Sequence, residues 1–140
     1  LKITHWSYFE NWDPYRNYIF AKEHCGLEEA DSNNVGTFTN FAQNDQAFYA
    51  LHTYLMFLKY GFGRANQDAC IEIRRGAMSR DQAINLVRLY DGHMPNEYKE
   101  LYLEYYEMFE SDFETVLDKW ANKDLLSKKS GEWKLIEEIK

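Results

Sequence analysis

KYGFGRANQDACIEIRRGAMSR, residues 59–80, is the stretch of this 140-residue chain that decides its fold. Two glycines, Gly61 and Gly63, stand at its start, where a chain that turns sharply between two helices needs residues without a Cβ. The spacing that follows has the period of an α-helix, and Gly76 ends it. The stretch therefore predicts a glycine turn that leads into a short helix.

The predicted helix has two different faces. With 3.6 residues per turn, Arg64, Asp68 and Glu72 lie along one stripe, and Arg75 lies one step further round. Small and apolar side chains occupy the other side and suit a core: Ala65, Ala69, Cys70 and Ile73. We therefore expect one charged face and one buried face.

Four of the six arginines of the chain lie in this stretch, namely Arg64, Arg74, Arg75 and Arg80. Guanidinium groups offer planar pairs of donors that suit both carboxylates and phosphates. Residues 59–90 carry six basic and three acidic groups, net +3, whereas residues 91–118 carry one and nine, net −8. Two interpretations stay open: the arginines bind an anionic ligand, or they form ion pairs on a solvated helix face.

Composition excludes several classes of protein. Apolar residues make up 45% of the chain and aromatic residues 17%, which excludes a disordered protein and suffices for one domain with a core. The net charge of −7 argues against nucleic-acid binding by the whole surface. The uncharged run 46–58 is too short to span a bilayer. Two distant cysteines and no opening signal peptide lead us to expect a cytoplasmic protein.

The remaining pattern predicts an all-α fold, a compact bundle of about six helices in one domain over residues 1–140. Six helices are predicted: Pro14 to Cys25, Ala42 to Tyr60, the helix described above between Gly63 and Gly76, Arg80 to Tyr90, Pro95 to Glu107 and Ser111 to Ala121. A short strand is expected at residues 1–9, as a remnant of an α/β domain that precedes this one. Residues 133–135 are expected to form a short strand or an extended docking segment.

Several helix starts have sequence signals. Asp13 before Pro14 is a predicted N-cap, and two S-x-x-[EQ] patterns, Ser79 with Gln82 and Ser111 with Glu114, predict capping boxes. The helix starts should therefore be set largely by local sequence.

In the last two predicted helices, eight residues are expected to point inward: Tyr98, Leu101, Tyr102, Tyr105, Phe113, Val116, Leu117 and Trp120.

The predicted helix 42–60 is apolar nearly all round, which is typical of a central helix or of one that docks on a partner. We expect a central helix that also contacts a partner surface. His52 within it is predicted to be a core residue, because the four histidines have no metal-ligand spacing with each other or with the cysteines. Cys70 is predicted to be a buried thiol and therefore a poor nucleophile.

No standard phosphate-binding or nucleophile motif is present in the sequence. Gly61-Phe62-Gly63 alone is weak evidence, since it equally suits a plain turn between helices. The acidic run 91–118 is typical of a solvated helix face. The residues by themselves therefore predict a helical domain with a turn that could bind an anion. They predict no metal site and do not identify a reaction.

A combination of short runs resembles the C-terminal half of the N-acetyl sugar amidotransferases of lipopolysaccharide O-antigen and related surface-sugar biosynthesis. The runs are GTFTNF at 36–41, LH at 51–52, KYGFGRA at 59–65, IEIRRG at 71–76, SRD at 79–81 and YDG at 90–92. Upstream, YF at 8–9 and WDPY at 12–15 also resemble that family. The resemblance covers residues 6–95 well and the remainder loosely.

The resemblance implies an ATP-dependent enzyme of the PP-loop pyrophosphatase type. Such an enzyme activates the N-acetyl oxygen of a nucleotide-linked sugar as an adenylate, and ammonia from a partner glutaminase then displaces AMP and leaves an acetamidino group. ATP and magnesium would be bound mainly by the family's N-terminal PP-loop domain, whose phosphate loop is not found in these residues. We therefore expect the chain to be the C-terminal portion of the enzyme, inactive alone.

In that setting the arginine stretch is predicted to bind substrate. Arg64, Arg74, Arg75 and Arg80 would neutralise the phosphates of the sugar nucleotide, of ATP or of the released pyrophosphate. The other predicted site residues are Asp68 and Glu72 as orienting acids, Thr37, Thr39 and Asn40 as hydrogen-bonding groups, and Gly61 and Gly63 for close backbone approach. The catalytic residues stay unknown.

A second hypothesis, from a different class, treats the chain as a non-catalytic module. Its aromatic helix 42–60 would then mediate dimerisation or docking to the glutaminase. The two hypotheses are compatible in one protein, and a homo-oligomer is an open expectation in both.

Overall fold

The computed structural model describes residues 1–42 and 47–137 and is mostly helical over them, as predicted. The six α-helices in this part are α1 (Pro14–Cys25), α2 (Ala47–Tyr60), α3 (Arg64–Arg74), α4 (Arg80–Tyr90), α5 (Lys99–Tyr106) and α6 (Glu110–Trp120). Two short 3₁₀ helices cover Trp6–Tyr8 and Asn96–Tyr98. Two strands, β1 (Leu126–Lys129) and β2 (Glu132–Leu135), form an antiparallel hairpin. Residues 43–46 of the predicted helix 42–60 lie outside the described part.

Helix α2 is the centre of the main core, as its apolar sequence predicts. Its buried side chains pack against α5, α6 and the hairpin, and the cluster consists of Leu51, Tyr54, Phe57, Leu58, Tyr102, Phe113, Leu117, Ala121, Leu126 and Trp133. Each large side chain buried in this way stabilises the fold by about 1.5–3 kcal/mol. The prediction that His52 is a core residue is wrong, because its side chain is exposed.

The hairpin closes one side of this core. Leu126 and Trp133 are both buried, and Ser130 and Gly131 turn the chain between the strands with φ of 52° and 87°. Two central residues with positive φ are typical of the tight turns that suit the right-handed twist of a hairpin. The strand predicted at 133–135 is confirmed, whereas its partner β1 was not predicted, because LSKK has little strand character of its own.

Helices α3 and α4 pack closely and form a second, smaller core. Ala69, Ala83 and Val87 are buried between them, and the partly buried Phe38 and Met78 pack against this cluster. Small side chains allow this close approach. The capping box at the start of α4 is confirmed: the Gln82 amide donates to Ser79 Oγ at 3.3 Å, and the Ser79 amide donates to Gln82 Oε1 at 3.0 Å.

The amino-terminal segment agrees with the predictions only in part. Asp13 caps α1 by accepting a hydrogen bond from the Arg16 amide at 3.0 Å, and Gly26 ends α1 with φ of 70°, both as predicted. The strand predicted at residues 1–9 is wrong: the segment forms the 3₁₀ helix Trp6–Tyr8 and its side chains are exposed. No neighbouring strand in the described part offers a ladder, and a lone strand is not stable in water.

The capping box predicted at Ser111 is also wrong. Helix α6 begins one residue earlier, at Glu110, and Phe109 is its N-cap without a side-chain hydrogen bond. Of the eight residues expected to point inward, Tyr102, Phe113 and Leu117 are buried, whereas Leu101, Tyr105 and Trp120 are exposed. Helix α5 has only 8 residues, and its buried residue Tyr102 contacts α2 by donating from its hydroxyl to the Ala47 carbonyl at 2.8 Å.

Candidate functional site

The charged stripe of α3 is turned inward. Asp68 and Glu72 are only 8% and 5% exposed, whereas Ile73, expected in the core, is 36% exposed and Cys70 is half-buried. Helix α1 and residues 36–41 cover the stripe, so the buried face is rotated toward the acids. The interpretation of a solvated helix face is therefore wrong, since two ionised carboxylates are buried only where partners compensate the lost hydration.

Asp68 has partners on both carboxylate oxygens. Arg64 Nε lies 2.8 Å from Oδ1 but off the direction of a hydrogen bond, so this contact is an ion pair. Thr37 Oγ1 donates to Oδ2 at 2.6 Å. Arg64 also donates through Nη1 to the Tyr49 hydroxyl at 2.5 Å, with its guanidinium 5.7 Å from the centre of that ring. These contacts hold Asp68 and Arg64 in fixed positions.

Glu72 is compensated by Arg75. Nη1 of Arg75 lies 2.5 Å from Glu72 Oε2, and Nη2 of the same guanidinium contacts Asp13. The Arg16 amide and the Arg75 guanidinium together lower the pKa of Asp13. Since Asp13 is also the N-cap of α1, Arg75 connects the start of α1 to the end of α3.

A cavity of about 340 Å³ lies against this cluster, between α1, α3 and residues 38–42. Its wall combines charged groups with aromatic rings, and the residues that matter below are Trp12, Tyr15, Tyr18, Phe38, Thr39, Phe41, Arg64, Asp68 and Glu72. Phe41 stacks on Tyr18 with 4.4 Å between ring centres. Burial and the nearby Glu72 and Asp68 raise the pKa of Tyr15.

Thr39 has an unusual position in this cavity. The residue is 7% exposed, and its Oγ1 has no hydrogen-bond partner within residues 1–42 and 47–137. A buried hydroxyl without a partner costs about 1–3 kcal/mol. Thr39 lines the cavity, so its unsatisfied hydroxyl is a candidate hydrogen-bond partner for a ligand.

Asp91 is an important residue that sequence reasoning missed. It follows α4 but caps α3: Gly63 N donates to Oδ2 at 2.8 Å and Ala65 N donates to Oδ1 at 2.9 Å. Burial raises the pKa of Asp91, and these amide hydrogen bonds oppose the rise. A Cβ on Gly63 would lie 2.8 Å from Oδ1, so the glycine makes room for the carboxylate. The only signal in the sequence was the YDG run at 90–92.

The structure brings some predicted site residues together and not others. Gathered in or beside the cavity wall are Thr37, Thr39, Arg64, Asp68, Glu72 and Arg75. Away from it lie Gly61, Gly63, Asn40, Arg74 and Arg80. Gly61 packs against Leu125 and Leu135, and the Asn40 side chain donates to the Ala30 carbonyl at 3.0 Å. Arg74 and Arg80 are exposed on the surface.

A larger cleft of about 850 Å³ lies between the end of α4, helix α6 and the hairpin. Of the predicted site residues it contains Gly61 alone. Several of its charged groups form ion pairs: Lys128 with Asp118 at 2.7 Å, and Lys99 with Glu110 at 2.5 Å. Hydrogen bonds from Lys128 and from the Trp133 indole lower the pKa of Asp118. The smaller cavity is the better candidate site, because its wall contains two nearly buried carboxylates paired with arginines and the unsatisfied hydroxyl of Thr39.

Residues 35–140 match the sequence profile of a family described as LPS biosynthesis protein WbpG-like, C-terminal domain. The chain belongs to this family. The match confirms the resemblance to the C-terminal part of a family from lipopolysaccharide biosynthesis. It includes Thr37, Thr39, Arg64, Asp68 and Glu72, whereas α1 and its share of the cavity wall precede the WbpG-like region. Among curated proteins, none matches the chain.

Two further observations bear on binding. Within the described ranges, no α-helix has the length and apolar character needed to cross a bilayer. The same residues contain no group of three or more His, Cys, Asp and Glu side chains arranged to hold a metal ion.

Proposed function

We propose that the chain is the C-terminal helical portion of an ATP-dependent amidotransferase of lipopolysaccharide biosynthesis. The enzyme would convert the N-acetyl group of a nucleotide-linked sugar to acetamidino, with ammonia from a partner glutaminase. Membership of the WbpG-like family supports the pathway, and the resemblance described above supplies the reaction. We place the enzyme in the cytoplasm, where ATP and nucleotide-linked sugars are made.

One observation carries this proposal: two nearly buried carboxylates, each held by an arginine, stand in the wall of an aromatic cavity. Burying two such ion pairs is not needed for stability, because apolar residues of similar size usually serve as well or better. Charged groups held rigidly beside a cavity instead suit a polar ligand that must be oriented. We propose Thr37, Thr39, Arg64, Asp68, Glu72 and Arg75 as the substrate-binding group.

The described residues do not fit an ATP–magnesium site. The donors of Arg64 and Arg75 already bind Tyr49 and carboxylates, and the start of α3 is occupied by the Asp91 carboxylate. We therefore assign ATP and magnesium to the PP-loop domain that the resemblance implies. Gly61, Gly63, Asn40, Arg74 and Arg80 are proposed to support the site from outside it, by shaping the turn before α3 and the surface next to it.

The test is an activity measurement on the complete polypeptide that contains this chain. With ATP, ammonium chloride and a UDP-linked N-acetylhexosamine, the expected product has the carbonyl oxygen replaced by NH, as seen by mass spectrometry. Asp68→Asn keeps the shape of the side chain and should reduce kcat/KM by about 100-fold or more. Asp81→Asn changes an exposed acid on α4 and should leave activity as it is. Absence of the acetamidino product, or full activity of Asp68→Asn, would contradict the proposal.

A second candidate function, docking of a partner, is favoured by a separate observation. The first 26 residues expose several large apolar side chains, namely Leu1, Ile3, Trp6, Tyr8, Phe9, Trp12, Ile19 and Phe20. Helix α2, the surface first expected to dock, has its main apolar side chains in the core instead. An exposed apolar surface of this extent is typical of an interface.

Light scattering tests this candidate. A homodimer, or a complex with the glutaminase, should form and should be lost in Phe20→Glu. Leu89→Glu, on an equally exposed leucine of α4, should have no effect. A monomer that does not bind the glutaminase would exclude docking.

A further inference from the structure

We propose that the cavity beside α3 binds the sugar ring of the substrate, and that the phosphates and the base of the nucleotide lie outside it. The substrate class rests on the proposed function above. The part of the substrate that lies in the cavity is inferred from the chemistry of the cavity wall. The wall is rich in hydrogen-bond acceptors and aromatic rings, and its described residues include no free cation. This assignment differs from the sequence prediction, in which the arginines bind phosphate.

The charges of the wall disfavour a phosphate. Asp68 and Glu72 contribute two negative charges and Arg64 one positive charge, and Arg75 behind them is divided between Glu72 and Asp13. A phosphate would have to displace a carboxylate from its arginine inside a site where charges are poorly screened. Sugar hydroxyls are neutral and donate hydrogen bonds, so they can bind the remaining lone pairs of both carboxylates.

Thr39 offers the clearest single contact. Its buried Oγ1 has no partner in the described part of the chain, although a hydroxyl both donates and accepts. A sugar hydroxyl can take either role. A ligand that pairs with the Thr39 hydroxyl removes the cost of leaving it unpaired, so the gain in binding free energy exceeds that of an ordinary hydrogen bond.

The volume of the cavity also suits a single sugar ring. Its volume of about 340 Å³ is near the lower limit for ligand sites, which span about 300–1,000 Å³. It therefore suits one monosaccharide better than an entire nucleotide-linked sugar. Trp12 and Tyr15 line the cavity with aromatic rings, and such rings can pack against the C–H face of a sugar.

Saturation-transfer NMR on the complete polypeptide tests the inference, with UDP-N-acetylglucosamine, UDP and free N-acetylglucosamine as probes. We expect the sugar-ring protons of UDP-N-acetylglucosamine to receive more saturation than the uracil protons. Thr39→Val keeps the shape of the side chain and removes the hydroxyl. It should weaken binding of UDP-N-acetylglucosamine by about 5- to 10-fold and leave binding of UDP unchanged. Thr115→Val, on the far helix α6, is the matched control and should bind all three probes as the parent does.

The outcomes separate this inference from the proposed function. Loss of affinity in Thr39→Val for UDP-N-acetylglucosamine and the free sugar, but not for UDP, supports the inference. Equal weakening for UDP would overturn the inference and leave the proposed function standing, since the cavity would then hold the nucleotide. No effect of Thr39→Val on any probe would also overturn it. If the polypeptide binds none of the three probes, both the inference and the proposed function are wrong.

Discussion

Gly92 shows how a single residue can be fixed by its neighbour. It has φ of 78°, and a Cβ at this position would lie 2.6 Å from the ring of Phe57, which is itself 5% exposed and cannot move aside. We expect Gly92→Ala to lower the free energy of unfolding by about 2–4 kcal/mol, the sum of backbone strain and overpacking. Gly76 has φ of 74° but open space around it, so Gly76→Ala should cost only about 1 kcal/mol. Urea denaturation measures both, and equal costs would show that the ring contact does not matter.

The two arginines at the ends of α3, Arg64 and Arg74, differ in burial and in ion pairing. Arg64 is half-buried and compensates Asp68, whereas Arg74 is exposed and has no ion pair in the part of the chain that the structure describes. Arg64→Ala should lower the free energy of unfolding by about 2–3 kcal/mol, because Asp68 would stay buried without its cation. Arg74→Ala should change it by less than about 0.5 kcal/mol. Thermal unfolding of the two variants tests this difference. Similar losses of stability in Arg64→Ala and Arg74→Ala would mean that Asp68 needs no cation.

At the scale of the element, the start of α3 is capped by Asp91, the residue that follows α4. Asp91 accepts the Gly63 and Ala65 amides, and Gly63 has no side chain that could do so. Asp91→Ala should therefore lower the free energy of unfolding by about 1–3 kcal/mol. Asp81→Ala, at an exposed position of α4, should cost less than about 1 kcal/mol. Hydrogen exchange of the Gly63 amide should accelerate in Asp91→Ala alone, and unchanged exchange would contradict the assigned cap. The Ala65 amide also donates to the Gly36 carbonyl at 2.9 Å, so its exchange should change less.

The comparison of Asp91 with Ser79 shows what sequence can predict about elements. The capping box of Ser79 and Gln82 and the cap at Asp13 depend on residues three apart, so they were visible in the sequence. The cap at Asp91 joins residues 26 and 28 apart, and no local pattern reveals it. The capping box predicted at Ser111 is wrong although its local pattern fits, because α6 begins at Glu110 with Phe109 as its N-cap.

At the scale of the whole molecule, the candidate site also depends partly on local spacing, which the sequence shows, and partly on contacts between distant residues, which it does not. The i, i+4 spacing of Arg64, Asp68 and Glu72 was sufficient to predict that they share a face. It was not sufficient to predict that the face is buried, because α1 and residues 36–41 cover it from far along the chain. The cavity and the unsatisfied Thr39 hydroxyl depend on that covering, so only the assembled molecule shows them.

The main core also makes the whole molecule sensitive to alkali. Burial, with the nearby Glu132 and Asp118, raises the pKa of Tyr54 to about 12, and burial also raises that of Tyr102 to about 12. In the unfolded chain a tyrosine ionises near pH 10. Below pH 10 both hydroxyls are neutral in the folded and in the unfolded chain, so the stability that they contribute is fully present. Between pH 10 and pH 12 only the unfolded chain releases these protons, so stability falls as pH rises.

Urea denaturation of the parent should therefore show an unfolding midpoint that decreases from pH 10 to pH 12. Tyr54→Phe removes one of the two groups and should reduce this decrease, although it does not abolish it, because Tyr102 still contributes. Tyr8→Phe changes a tyrosine that is 85% exposed and should leave the decrease as it is in the parent. The tyrosinate absorbance, followed in parallel, should show part of the signal appearing only as the fold is lost. An identical loss of stability in Tyr54→Phe and in the parent would mean that Tyr54 ionises freely, and that the centre of α2 is open to water.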